Sequence, residues 1–164
     1  MAVRAAVAAA APDFPVYKRL LAALAHYRDL ARAGEPPLVP TPAPAQRGVR
    51  PGDTWQGVSA LATRLRVLGD LAMPSAAPAP ESTAYAGELV DAVKRFQDRH
   101  ALEPDGTIGA ATIAAVNTPF SSRVRQLELA LERERWLPDT RSRALIFVNV
   151  PMFRLWAHDP ARPD

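Results

Sequence analysis

RFQDRHALEPDGTIGAAT, residues 95–112, holds the end of one helix, a turn and the start of another. Upstream of it, Tyr85, Leu89, Val93 and Phe96 recur at helical spacing, and His100 extends the same face. That spacing makes Phe96 a core residue and leaves the neighbouring Gln97 to bond loop backbone. The helix is expected to end at His100, with Ala101 standing where a glycine would normally make the left-handed exit. Asp105-Gly106 is a turn signal, because glycine permits positive φ and an aspartate can accept from backbone two residues on. Ala110 to Val116 then predicts a short helix, closed by Asn117 in the left-handed conformation.

Working outward, residues 1–13 are expected to be a disordered N-terminus. Residues 14–34 predict a flanking scaffold helix, with Tyr17, Leu20, Leu21, Leu24, Tyr27 and Ala31 as its stripe and Gly34 as its stop. Residues 35–52 are rich in proline, which removes backbone donors and favours extended chain, so they predict a stiff linker. A domain over 53–117 follows. Its first helix is expected to open at Asp53 or Thr54 and to bury Val58, Leu61, Leu65 and Leu68. A Pro/Ala insertion interrupts this domain at 73–83. Residues 118–137 predict a connecting helix, capped by Thr118 with Pro119 at its first position. The β-branched run at 144–150 starts a pair of strands within 144–164. The fold class is therefore mainly α: a small helical bundle with flanking helices and a short C-terminal β-hairpin.

Composition excludes more than it assigns. The 164 residues carry 20 Lys and Arg against 17 Asp and Glu, a net charge of +3, which is too mild for a dedicated nucleic-acid binder. There is no cysteine, so disulfides, thiolate metal sites and cysteine nucleophiles are absent. His26, His100 and His158 lie far apart and suggest no metal site. Glu132 and Glu134 are two apart on a helix and share no face. Ser121 and Ser122 fall in a first helical turn without a nearby histidine. No cofactor is implied, and no apolar run approaches the roughly 20 residues of a membrane span.

Two segments together, GVSALATRLRVLGD and LVDAVKRFQDRHALEPDGTIGAATIAAVN, resemble the peptidoglycan-binding module of bacterial cell-wall enzymes. The wider stretch is similar to the murein L,D-transpeptidases of Gram-negative bacteria. It runs from YKRLLAALAHYRDLARAG through TPFSSRVRQLELALERERWLP to IFVNVPMFRLW. The resemblance implies a three-helix binding core, a periplasmic or cell-envelope location, and peptidoglycan as partner. It also implies that 144–164 are the first strands of an L,D-transpeptidase catalytic domain otherwise missing from this chain. The family's cysteine nucleophile and His-Gly motif do not occur here, so the chain itself is expected to be non-catalytic. Stem peptides carry carboxylates, which guanidinium groups recognise well. The residues expected to contact them are Arg95, Arg99 and His100 at the basic helix end, with Asp105 and Thr107 in the turn. Trp55, Tyr85 and Trp136 are candidate sugar platforms. The alternative is a helical scaffold that packs on a catalytic domain without touching glycan.

Overall fold

A computed structural model describes residues 15–43, 48–73, 83–136, 144–150, 154–159 and 161. The expected N-terminal disorder and most of the Pro/Ala insertion lie outside the described residues. Chain contacts divide the molecule into two compact units, Gly34–Pro119 and a second made of Met1–Ala33 with Phe120–Asp164. The described elements are mainly helical: α1 (Pro15–Ala33), α2 (Val58–Val67), α3 (Glu88–Arg99), α4 (Ala110–Val116), α5 (Phe120–Glu134), β1 (Leu145–Asn149) and β2 (Arg154–His158).

In the unit Gly34–Pro119, α2, α3 and α4 enclose one core. The stripe residues Val58, Leu61 and Leu65 meet Tyr85, Leu89, Val93 and Phe96, with Ile108, Ile113 and Val116 closing the third side. Leu68 is partly buried against this core. Helix α2 begins at Val58, four or five residues later than its capping signals suggest. The reason is a competing pairing. Trp55 N–H donates to Thr83 O (2.8 Å) and Tyr85 N–H to Asp53 O (2.9 Å), which holds 53–55 extended in a short bridge. Asp53 instead accepts from Arg50 N–H at 2.8 Å.

The Pro-rich stretch is not a free linker. Val39 and Val49 are 2% and 0% exposed and belong to the core. Val49 exchanges backbone hydrogen bonds with Ile108 at 3.2 and 2.9 Å. Arg64, itself 1% exposed, donates to Pro37 O (2.9 Å), Pro36 O (3.0 Å) and Val116 O (2.9 Å). Prolines cannot donate, but their carbonyls accept, and one buried guanidinium gathers them. Asn117 does not adopt the left-handed conformation; its φ is −87°. Its side-chain amide brackets Val39 instead, accepting from Val39 N–H (2.9 Å) and donating to Val39 O (2.8 Å).

In the other unit, α1 and α5 pack through Tyr17, Leu24 and Leu131, flanked by Leu20, Val124 and Leu127. Arg135 donates to the Tyr17 hydroxyl at 3.0 and 3.2 Å. Leu21, expected on this stripe, is 43% exposed. Its neighbour Leu20, also on the expected stripe, packs against the cluster. Gly34 ends α1 with φ +102°, as expected. Thr118 was expected to cap α5; its hydroxyl donates back to Ala114 O at 3.1 Å. Strands β1 and β2 pair antiparallel, with Ile146 opposite Ala157 and Val148 opposite Leu155.

Candidate functional site

The turn after α3 is organised by one buried amide. Gln97 is 2% exposed. Its Oε1 accepts from Gly106 N–H (2.9 Å), and its Nε2 donates to Thr107 O (2.9 Å) and Thr112 Oγ1 (3.2 Å). The Tyr85 hydroxyl donates to Gly106 O at 2.6 Å, and burial pushes that phenol well above its ordinary pKa. Gly106 has φ +80°, and a Cβ there would lie 3.2 Å from Val90 Cγ1. Positive φ and close packing on α3 both demand glycine at this position.

Asp105 and Thr107 belong to the same turn. The Asp105 carboxylate accepts from Thr107 N–H at 2.7 Å and from Gln97 Nε2 at 3.3 Å. The Thr107 backbone bond, foremost, holds the Asp105 carboxyl below the usual carboxylate range. These bonds tie the Asp105 carboxylate to the loop itself.

The basic helix end is similarly engaged. Arg99 makes a two-pronged ion pair with Asp70, Nε to Oδ1 at 2.8 Å and Nη2 to Oδ2, while its guanidinium lies 5.5 Å from the Phe96 ring centroid. Asp70 is 8% exposed and follows the end of α2, so this pair ties two helix ends together. His100 is half-buried with its ring 4.3 Å from that of Phe96. Arg95 differs. Both arginines are exposed, but Arg95 is held by a backbone oxygen, one of its Nη groups donating to Asp70 O at 2.8 Å. A guanidinium carries five N–H donors, so a pinned Arg95 still has donors to offer. Arg95 also lines a shallow depression of about 270 Å³ with Leu71, Ala72, Glu88 and Asp91. One cation thus stands beside two carboxylates.

A second, larger groove of about 670 Å³ lies on the same unit, with Pro40, Thr41, Trp55, Gln56 and Thr83 among its walls. Of the three aromatic candidates, Trp55 lines this groove, Tyr85 is fully buried, and Trp136 is 76% exposed.

Residues 55–116 match the family model described as a putative peptidoglycan binding domain. The match covers α2, α3, α4 and the turn at Asp105-Gly106, so this segment is similar to a peptidoglycan-binding domain, which supports a cell-wall binding role. No curated protein matches the chain. Among the described residues, no helix is long and apolar enough to cross a membrane. The sequence placed Phe96 in the core and gave Gln97 to loop backbone, but it gave no sign of Asp70, the acceptor for both arginines. Its signal is purely spatial: Asp70 lies 29 residues before Arg99.

Proposed function

We propose that this chain is a substrate-positioning part of a periplasmic murein L,D-transpeptidase system. It holds peptidoglycan so that a tethered catalytic domain meets its stem peptides at high local concentration. The family match at residues 55–116 carries this reading. The resemblance of the flanking segments to L,D-transpeptidases supplies the enzymatic context. Within the matched unit, Arg95 beside Glu88 and Asp91 suits a ligand with both carboxylate and amino groups, as stem peptides have. Arg99, His100, Asp105 and Thr107 support this contact by fixing the helix end and turn behind it. The exposed apolar residues Ile146, Val148 and Leu155 on the β1–β2 hairpin suit packing against a catalytic domain.

The test is co-sedimentation of the full chain with purified sacculi. The parent protein is expected to pellet, and Arg95→Ala to be retained severalfold less. Arg99→Ala is expected to lower stability as well as retention, since Asp70 loses its partner. The chain alone is expected to form no cross-linked muropeptide. Failure of the parent to pellet, or formation of cross-linked product, would overturn this function.

A further inference from the structure

We propose that the groove walled by Pro40, Thr41, Ala43, residues 54–56 and Thr83 is a separate binding site that takes the neutral glycan strand rather than the charged peptide. This rests on the reading that the unit binds peptidoglycan. The chemistry of the walls carries it. Charged residues make up 23% of the chain, yet among the described residues none lines this groove. A stem peptide laid there would find no opposite charge among these residues for its carboxylates and amines, which makes their desolvation costly. A sugar strand has the opposite needs. Its hydroxyl and N-acetyl groups require both donors and acceptors, and its C–H faces require apolar surface. Thr41, Thr54 and Thr83 supply hydroxyls and Gln56 an amide, while Pro40 and Trp55, itself a core residue only 7% exposed, supply apolar wall.

Size and rigidity agree. At about 670 Å³ the groove falls within the usual range of roughly 300–1,000 Å³ for ligand sites. Its walls are preset by bonds already described. Thr54 and Thr83 flank the paired backbone of the 53–55 and 83–85 bridge. Pro40 and Thr41 follow Val39, which Asn117 brackets on both sides. The Trp55 indole is fixed against Gly57, where a Cβ would lie 2.2 Å from the ring. A site built on such fixed elements loses little entropy when it binds.

The groove's polar rim can be altered without touching the core, because Gln56 and Thr83 are exposed. The probe is a neutral tetramer of N-acetylglucosamine, titrated into the isotope-labelled full chain and followed by amide and indole NMR shifts. A free stem peptide is titrated in parallel. The sugar is expected to move the Trp55 indole N–H and the amides of 54–56 and 83–85, and the peptide to move resonances around Arg95. Gln56→Ala with Thr83→Ala is expected to weaken sugar binding about tenfold, the loss of roughly two hydrogen bonds. It should leave peptide binding unchanged. Sacculus binding by the parent, combined with sugar shifts outside the groove or insensitive to the double substitution, would overturn this site and leave the proposed function standing. Absence of sacculus binding by the parent would overturn both.

Discussion

Two helices of the Gly34–Pro119 unit end in the same hydrogen-bond pattern with different residues at the critical position. After α2, Asp70 N–H donates to Leu65 O and Gly69 N–H to Arg66 O, and Gly69 has φ +82°. After α3, Leu102 N–H donates to Gln97 O and Ala101 N–H to Asp98 O, and Ala101 has φ +56°. A Cβ in the left-handed region costs about 1–2 kcal/mol. Glycine removes that strain but adds about 0.4–1 kcal/mol of unfolded-state freedom. Ala101→Gly should therefore stabilise the unit by up to about 1 kcal/mol, read as a higher denaturant midpoint with an unchanged slope. A lower midpoint would show that Ala101 is not left-handed in solution. Asp105 gives a second test. Its folded carboxyl sits below its unfolded value, chiefly through Thr107 N–H. Its contribution to stability is thus full above the unfolded pKa of about 4 and fades as pH falls through the lower, folded one. Asp105→Asn should flatten the acid limb of a stability-versus-pH curve below about pH 4. An unchanged limb would mean that the turn bond carries no pH-dependent stability.

The helices differ from the segments between them in how far sequence alone defines them. Stripes such as Leu61–Leu65 and Leu89–Val93–Phe96 were legible because a helix places every third or fourth side chain on one face. The Pro-rich segment was not, because its partners are distant: Val39 is bonded by Asn117, 78 residues away. Arg64 carried an unused signal. It lies three residues after Leu61 and four before Leu68, on the apolar face itself. There it is buried at 1% exposure and bonds three carbonyls, with Glu35 offsetting the desolvation that lowers its pKa. Of the candidate site, the turn was legible from Gln97 and Asp105-Gly106. The grooves were not, since each joins segments that only the fold brings together. Arg64→Met keeps much of the apolar stem but leaves the carbonyls of Pro36, Pro37 and Val116 without this donor. A loss of roughly 2–4 kcal/mol is expected in a thermal or denaturant melt. A loss within about 0.5 kcal/mol would mean that the Pro-rich segment stays seated without its arginine.

The proposed function asks different things of the two units. Both grooves lie on Gly34–Pro119, while the hairpin belongs to the unit that contains α1 and α5. The hairpin has little of its own to hold it. Among the described residues its sheet has two strands only, five residues each. Ile146, Val148 and Leu155 are 69%, 62% and 63% exposed. Cross-strand pairing sets Val148 opposite Leu155 on one apolar face, so the side chains that should stabilise the sheet are in water. A lone two-stranded hairpin is marginal, and marginal elements open at low free-energy cost. The α3 core is the opposite case, with Val93 and Phe96 at 0% and 1% exposure. In native-state hydrogen exchange, amides of 146–148 and 155–157 should exchange at least roughly a hundredfold faster than those of Val93 to Gln97. Equal protection would show that the hairpin's apolar face is covered in the chain alone. In that case it would not be available to a catalytic domain, and the docking role given to it above would fall.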